Sequence, residues 1–555
     1  MIHYPEFATS VWERTRALLP QRSDFTAMRR DPKRDIVAGI TVAFVALPLA
    51  LAFGVASGLG AGAGLVTAIV AGLLAAIFGG SNLQVSGPTG AMTVVLLPVV
   101  AQVGISGVLV VGMIAGVILI GLAFAGAGRY MQFIPLPVVE GFTIGIAVII
   151  GLQQVPAALG VDAEGEKVVV RAFSAIRIWL QEPAIASLLI ALVVAGVILL
   201  TVRFRPGVPA SMFAVIIATL AVGVFGIDVA TIGVIPSGLP SPSIPQVSWS
   251  QLSTLMIPAI AIAALAALES LLSATVADAM SVGERHDSNR ELFGQGIANI
   301  ASPLFGGVPA TAAIARTAVN VRSGAQSRLA AITQSIGLLL VILVASRWVS
   351  FIPLAALAGV LFATVIQMIE ISSVRALLRA TRGDAAILVA TAAATIAFDL
   401  VTAVIIGMAI AGIYALRQVA KSARIDEMPL DQSDHSDAEW ELLKEHVVAY
   451  RLDGPLFFGA AHRFLLEISE VSDVRVVILR LSRIRTLDAT GASVLGDTIK
   501  SLEQRGVTVM LSGVQPEHEL IFRGLGVFGE LAHEKHVFLT TPEAINHARA
   551  HSLPN

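Results

Sequence analysis

An arginine lies inside an apolar, small-residue segment of the chain, where a charge needs a partner. Arg316 follows the run Phe305-Gly-Gly-Val-Pro309-Ala-Thr-Ala-Ala-Ile-Ala. A proline after two glycines does not fit the middle of a helix, so we predict extended backbone over 306–312 and a short helix from Ala313. Unpaired N–H groups at a helix N-terminus, with a positive side chain beside them, form an anion site. The alternative is that the small residues only let helices pack closely.

A carboxylate lies near the centre of another apolar run. Glu269 is flanked by Ala-Ala-Leu and Ser-Leu-Leu, and an ionised acid in such a position costs about 2.5 kcal/mol or more. We predict that Glu269 couples proton uptake to binding of the anion beside Arg316. The alternatives are a structural hydrogen bond between the two segments, or a purely structural pair with Arg316.

A second copy of the Pro309 segment occurs earlier in the chain. There, Phe78-Gly-Gly is followed by a short extended run, Pro88 and a small-residue helix start, and the two prolines are 221 positions apart. The word Phe-Ile-Pro-Leu occurs at 133–136 and again at 351–354, 218 positions apart. The two offsets indicate a duplicated unit of about 220 residues.

The composition is that of an integral membrane protein. Of 555 residues, 55% are hydrophobic and 14% charged, and the mean hydropathy is +0.81, which is too apolar for a soluble protein. There are no cysteines, so disulfides and thiolate sites are excluded. The net charge of −2 gives no indication of a nucleic-acid partner. The charged stretch 12–34 has no cleavage motif, so we expect no removable signal peptide.

Fourteen apolar runs are candidates for membrane spans, seven in each repeat. They fall at about 36–55, 63–79, 88–101, 105–125, 136–154, 183–201 and 208–226, and then at about 256–276, 291–304, 310–321, 328–346, 352–370, 384–399 and 400–418. An odd number per repeat requires that the two halves be inverted relative to one another. The short third and tenth spans are the two that are broken at Pro88 and Pro309.

Basic residues predict that both termini are cytoplasmic. With the N-terminus inside, these loop residues fall on the cytoplasmic side: Arg29, Arg30, Lys33, Arg34, Arg129, Arg203, Arg205, Arg285, Arg290, Arg322, Arg328, Arg375, Arg379 and Arg382. Lys167, Arg171 and Arg347 are the exceptions.

The chain after the last span predicts a small soluble α/β domain. Apolar β-rich runs at 447–452, 474–481 and 507–511 alternate with helical periodicity at 461–468, 492–502, 517–522 and 542–550. The predicted organisation is a cytoplasmic segment 1–35, a transmembrane domain 36–420 with repeats 36–226 and 256–420, a linker 421–444 and a cytoplasmic domain 445–555. The histidines of the linker and tail show no ligand spacing, so no metal site or other cofactor is predicted.

Several short motifs of the sequence resemble those of the sulfate permease (SulP) family of anion transporters and, in the tail, those of their STAS domain. They are Gly87-Pro88-Thr89, Leu268-Glu269-Ser270-Leu-Leu-Ser273, Gly294-Gln295-Gly296-Ile-Ala-Asn299, Thr311-Ala-Ala-Ile-Ala-Arg316-Thr317 and Leu487-Asp488-Ala489-Thr490-Gly491. The resemblance implies a 7+7 inverted repeat in which spans one to four and eight to eleven move, elevator-fashion, against the remaining spans. It also implies a homodimer in the cell (inner) membrane.

The resemblance also implies the substrate site. The anion would lie between the N-termini of spans three and ten, and the residues carried over are Phe53, Gly87, Pro88, Thr89, Ala315 and Arg316, with Glu269 as the proton-coupling residue. In related bacterial anti-sigma antagonists a matching hydroxyl is phosphorylated, which makes Thr490 a candidate regulatory site. The alternative for Thr490 is a helix N-cap.

The anion and the coupling ion remain open at the level of sequence. Leu49 follows Pro48 where many members have Gln or Glu, the region around Phe53 resembles bicarbonate-type members, and the segments of Glu269 and Arg316 resemble C4-dicarboxylate carriers. Sulfate is the third candidate. We expect a proton-coupled symporter rather than an enzyme; the alternatives are a passive anion channel or exchanger, a sodium-coupled bicarbonate symporter, and a nucleobase carrier on the same scaffold.

Overall fold

The computed structural model describes residues 11–165, 167–205, 208–281, 284–398, 400–421, 424–428, 446–457 and 474–552. The chain divides into two compact units, Met1–Met408 and Ala409–Asn555.

The helices follow one another in two series of seven, as the hydropathy predicts. Two short helices, α1 (Val11–Leu18) and α2 (Arg22–Ala27), precede them. The first series is α3 (Pro32–Ala56), α4 (Ala61–Phe78), α5 (Gly90–Val103), α6 (Ile105–Phe124), α7 (Leu136–Leu159), α9 (Ile185–Phe204) and α10 (Ala210–Phe225). The second series is α11 (Trp249–Met280), α12 (Ser288–Leu304), α13 (Ile314–Arg322), α14 (Leu329–Val349), α15 (Leu354–Met368), α17 (Arg382–Ala397) and α18 (Leu400–Lys421). Nine helices of the described ranges are long and apolar enough to cross a membrane, and the predicted helical membrane fold is confirmed.

Local sequence explains where these helices begin. Asp31 caps α3 by accepting a hydrogen bond from the Arg34 N–H, and Pro32 occupies the first helical position, where its missing N–H costs nothing. Asp287 caps α12 in the same way through the N–H groups of Asn289 and Arg290.

The third and tenth helices are short because the backbone before each of them is extended. A two-residue strand precedes each of these helices in the chain: β1 (Ser86–Gly87) precedes α5, and β2 (Thr311–Ala312) precedes α13. The predicted helix start at Ala313 is confirmed, with Ala313 as the N-cap. The tenth helix is shorter than the predicted span 310–321, because strand pairing holds the chain extended through Ala312.

Two amphipathic helices were not predicted. α8 (Val168–Gln181) follows the fifth helix of the first series, and α16 (Ile371–Ala380) follows the fifth helix of the second. α8 exposes Phe173 and Leu180, a pattern typical of a helix at a membrane surface. Lys167 and Arg171 are two of the exceptions to the predicted distribution of basic residues. Lys167 is the N-cap residue of α8 and Arg171 lies within α8, so neither belongs to a simple loop.

The helices of unit one pack in two groups. We call α3, α4, α6, α11, α12 and α14 the core group, since they pack mainly on one another, and α7, α9, α15 and α17 the gate group. Small residues permit the close approach inside the core group: a Cβ on Gly64 of α4 would lie 2.0 Å from the carbonyl oxygen of Ala50 on α3. Contact of this kind is what drives helix association within a membrane.

The N-terminal segment is attached to the core group. Asp24 on α2 accepts a hydrogen bond from Arg290 of α12 and lies 3.6 Å from Nη2 of Arg328. Burial by itself raises the pKa of Asp24, but the bond from Arg290 and the charges of the two arginines outweigh burial and lower this pKa. Asp24 is therefore ionised, and it holds α2 against the bundle.

The second unit contains a five-stranded sheet of order β3-β4-β5-β6-β7. β3 (Arg424–Met428) is antiparallel to β4 (Val447–Leu456), while β5 (Val476–Leu487), β6 (Thr508–Ser512) and β7 (Val537–Phe538) continue the sheet in parallel. Helices α19 (Ala489–Gln504) and α20 (Pro516–Gly524) cover one face, and α21 (Thr541–Ser552) covers the other. The alternation of Val476, Val477, Ile478 and Leu479 between the two cores follows the period of a strand.

The predicted linker 421–444 is wrong in part, because 424–428 form the edge strand β3. Charged residues such as Asp426 and Glu427 concealed this strand, although charges are common on edge strands. The remainder of the predicted linker, and the helix predicted at 461–468, lie outside the described residues.

Candidate functional site

The two broken helices meet at β1 and β2. These strands pair antiparallel, Ser86 opposite Ala312 and Gly87 opposite Thr311, and the Ala313 N–H donates to the carbonyl of Val85 at 3.0 Å. The starts of α5 and α13 are therefore held side by side. Neither N-cap residue, Thr89 or Ala313, caps its helix with a side chain, so first-turn N–H groups of both helices remain available to a ligand.

Arg316 lies within this junction. Its side chain is 1% exposed, and Nη2 donates to the carbonyl oxygen of Pro88 at 2.8 Å. Nη1 is also buried and has no hydrogen-bond partner in the described part of the chain. Leaving a buried charged donor unsatisfied is costly, so this nitrogen is suited to an anion.

Gly87 makes room for the guanidinium group. A Cβ at this position would lie 2.6 Å from Nη1 of Arg316 and 3.4 Å from its Cζ. No side chain fits there without displacing the arginine.

Glu269 reaches the same junction from α11. Its Oε2 accepts a hydrogen bond from the Thr89 hydroxyl at 2.9 Å, and the glutamate is partly buried. Glu269 and Arg316 interact electrostatically, but these two described residues form no ion pair within 4 Å. Both structural alternatives are therefore wrong in detail: the hydrogen bond of Glu269 joins the eighth span to the third rather than to the tenth, and Arg316 does not neutralise Glu269 by direct contact.

The other two predicted substrate residues lie beside these groups. Phe53 on α3 is 5% exposed, and its Cε1 lies 3.1 Å from the position of a Cβ on Gly90, the first residue of α5. Ala315 is exposed in the first turn of α13. The structure thus brings Phe53, Gly87, Pro88, Thr89, Glu269, Ala315 and Arg316 to one place.

Sequence reasoning gave no role to two amides that hold the junction in shape. The Asn299 side chain donates from Nδ2 to the Ala310 carbonyl and accepts from the Ala310 N–H, both at 2.8 Å. Gln295 donates from Nε2 to the Ser86 hydroxyl at 2.7 Å. Their spacing of four residues, which puts both on one face of α12, was the signal that could have identified them.

In the second unit, Thr490 is an exposed residue in the first turn of α19. The N-cap is Asp488, whose Oδ1 accepts from the Gly491 N–H at 2.7 Å. The N-cap alternative for Thr490 is therefore wrong, because the aspartate two residues earlier occupies that position.

Three histidines of the tail do have a spacing suited to metal ligands, so the prediction that they lack one is wrong. His536, His547 and His551 form one group in which ligand atoms all lie within 4.8 Å of one another. His547 and His551 are four residues apart on α21, a spacing that places both on one helix face.

Comparison with known proteins agrees with this architecture. The chain is 36% identical, over 91% of its length and 96% of the relative's, to YvdB of Bacillus subtilis (strain 168), which is named provisionally as a sulfate transporter. It is 32% identical, over 90% and 91%, to the bicarbonate transporter BicA of Synechocystis sp. (strain ATCC 27184 / PCC 6803 / Kazusa). The structure of murine solute carrier 26 family member A9, an anion transporter, matches with a TM-score of 0.83 at 19% identity over 99% and 97% of the two chains, which shows the fold.

The profile of the sulfate permease family matches residues 33–391, and that of the STAS domain matches residues 443–544. The relatives are transporters rather than enzymes, and the chain belongs to the sulfate permease family of integral membrane proteins.

Proposed function

We propose that this protein is a secondary active transporter that carries a small anion across the cell membrane together with protons. The observation that supports this most directly is the buried Arg316, whose Nη1 has no partner in the described ranges and lies between two helix N-termini without side-chain caps. Half-helices that point their N-termini at an anion are a recurring plan of secondary transporters.

Sulfate and bicarbonate are the first candidate substrates. Two relatives at 36% and 32% identity are named for sulfate and for bicarbonate. A C4-dicarboxylate, which the sequence motifs also favour, is likewise an oxyanion that accepts N–H hydrogen bonds, and it belongs in the same test.

Glu269 is the proposed proton site. Arg316 lies close enough to stabilise a carboxylate on Glu269 electrostatically. An anion bound to Nη1 would offset the charge of Arg316, and the cost of keeping Glu269 ionised inside the protein would rise. Anion binding would then favour proton uptake, and acidification would favour anion binding by the same factor, because such coupling is reciprocal.

Alternating access would come from movement of the core group against the gate group. The proposed binding junction is attached to the core group. Glu269 lies on α11 of that group, and α13, which carries Arg316, packs on α11 and α3. Thr67 of α4 donates to the Val308 carbonyl at 3.1 Å. We further propose a homodimer with both termini in the cytoplasm. Protease protection of the region near residue 430 tests the topology, and cross-linking in membranes tests the dimer.

Uptake into liposomes tests the function. Purified protein is offered labelled bicarbonate, sulfate, fumarate, succinate or uracil, with and without a pH step. The bicarbonate arm uses an alkaline interior at constant external pH, because external acid converts bicarbonate to carbon dioxide.

We expect uptake of sulfate or bicarbonate that is faster down an inward proton gradient. Acceleration by sodium instead would identify a sodium symporter, and anion currents indifferent to pH would identify a channel. Uptake of uracil alone would identify a nucleobase carrier, and the anion proposal would then be wrong.

A further inference from the structure

Three histidines of the second unit converge where α21 meets the end of the sheet. His536 immediately precedes β7, and His547 and His551 project from successive turns of α21. Their ring centroids are 5.1 Å apart for His536 and His551, 5.5 Å for His536 and His547, and 5.3 Å for His547 and His551. The three rings therefore form one compact group, in which a ligand nitrogen of each lies within 4.8 Å of those of the other two.

The central histidine of this group is buried and lacks a partner. His536 is 3% exposed, and its Nδ1 has no hydrogen-bond partner among the described residues. Burial, together with the nearby His551, His547 and His533, lowers the pKa of His536 to about 4. The unpartnered Nδ1 is a nitrogen of the kind that serves as a zinc ligand in proteins.

Among the described residues, His551 is the member of this group with the fewest structural demands, because it is exposed. The face of α21 that packs on the sheet does so with Ala544 and Ala548, both fully buried. His547 also packs its ring on Phe538 of β7, with centroids 5.2 Å apart, whereas the exposed His551 has no core neighbour to explain it among the described residues.

We propose that His536, His547 and His551 form a binding site for a divalent transition metal, with Zn²⁺ as the expected ion. Imidazole suits zinc, copper and nickel, and three histidines with an open fourth position make a tetrahedral zinc site. At Zn–N distances of about 2.0–2.1 Å the three nitrogens would be about 3.3 Å apart. Ligand atoms now within 4.8 Å reach that separation by rotation of the two less buried side chains.

A metal here would tie the last helix to the edge of the sheet. α21 would be cross-linked to β7, and the metal-bound form would be stabilised by mass action. The stability of α21 would therefore depend on the concentration of the metal ion. This inference does not depend on which anion the protein carries.

The test uses the full-length protein in detergent, prepared without a polyhistidine tag. Zn²⁺ binding is measured by competition with a chromophoric chelator, and Co²⁺ is used as a spectroscopic probe of tetrahedral coordination. His547→Gln and His551→Gln remove one ligand each from partly exposed and exposed positions. His533→Gln is the matched control, because His533 is nearby and exposed but its Nδ1 accepts from the Lys535 N–H at 3.1 Å.

We expect each ligand variant to lower the affinity for Zn²⁺ at least about 10-fold. Loss of a residue that only hydrogen-bonds to a metal ligand already lowers affinity by about 10-fold to 100-fold, and loss of a ligand itself should cost no less. His533→Gln should stay within about 2-fold of wild type. Hydrogen exchange provides the second readout: Zn²⁺ should slow exchange in 541–552 of the wild type and of His533→Gln, but not in the ligand variants.

Equal Zn²⁺ affinity in the wild type and both ligand variants would overturn the proposal. So would exchange in 541–552 that is indifferent to Zn²⁺ in the wild type, or loss of binding in His533→Gln alone. Exchange of 541–552 without metal, compared among the variants, shows that each is folded.

Discussion

Replacement of Arg316 by alanine tests the central feature of the site. The substitution removes the Nη1 donor that has no partner among the described residues, together with the bond from Nη2 to Pro88. A hydrogen bond between charged groups contributes about 1.5–3 kcal/mol, and each 1.4 kcal/mol is a factor of ten. We therefore expect anion affinity to fall about 10-fold to 150-fold.

Binding should be weakened rather than abolished, because the N-termini of α5 and α13 remain. Each helix end still attracts an anion by about 0.3–1 kcal/mol or more when partly buried. Arg316→Lys should fall between wild type and alanine, since a lysine keeps the charge but loses the planar fork that serves Pro88 and the anion together.

The measurement is equilibrium binding, to purified protein, of whichever anion the wild type transports. Arg322→Ala is the matched control: it removes an exposed arginine from the last turn of the same helix, and affinity should change less than about 2-fold because exposed charges are screened. If Arg316→Ala binds the anion as tightly as wild type, with a normal unfolding temperature, Arg316 is structural and the proposed site is wrong.

Four further predictions test other parts of the structure. Glu269→Gln, which mimics the protonated acid, should bind the anion and lose the acceleration of uptake by an inward proton gradient. Gly87→Ala should slow anion transport without unfolding the protein, because its Cβ would lie 2.6 Å from Nη1 of Arg316 and displace the guanidinium group. Asp488→Ala should destabilise α19 by about 1 kcal/mol, measured by hydrogen exchange, whereas Thr490→Ala should leave exchange unchanged. Burial lowers the pKa of His518 below its ordinary value of 6.5, so the neutral form is favoured in the folded state. The protection of α20 against exchange, corrected for the intrinsic pH dependence of the exchange rate, should therefore fall as pH falls below about 6.5.

Each of these has a contradicting result. A full response to pH in Glu269→Gln would move the proton site elsewhere, and normal transport by Gly87→Ala would mean that the guanidinium group can shift freely. Faster exchange in Thr490→Ala than in Asp488→Ala would reverse the assignment of the cap. Corrected protection of α20 that is independent of pH, or that has the same pH dependence in His518→Gln, would exclude His518 as the cause.

The order of the spans and the two broken helices follow from the sequence alone. Hydropathy over about 20 residues is a local property, and a membrane admits few structures other than helices for such a run. The prolines at 88 and 309 identify the half-helices because proline acts on its own backbone and on the residue before it. Arg316 and Glu269 stand out for the same reason, as charges in segments that otherwise carry none.

The partners of those charges were decided only by the tertiary structure. Arg316 bonds to Pro88 across 228 residues, and Thr89 bonds to Glu269 across 180, so neither contact leaves a periodic trace in the sequence. Asn299 and Gln295 likewise act on backbone and side chains of distant segments. The amphipathic helices α8 and α16 were not predicted, because a mixture of apolar and charged residues between two membrane spans is also typical of a loop. Their helical pattern is expected only if a helix can lie at the membrane surface.

The histidine group shows the same limit most plainly. His547 and His551 share a helix face by their spacing, which the sequence contains, but His536 joins them only because β7 pairs with β6 and α21 folds back over the sheet. Local sequence determined the order of the membrane spans and the position of the two broken helices, but it did not identify α8, α16 or β3. Packing between segments far apart in the chain determined which side chains meet, because three-dimensional contacts depend on the whole fold and not on neighbours in sequence.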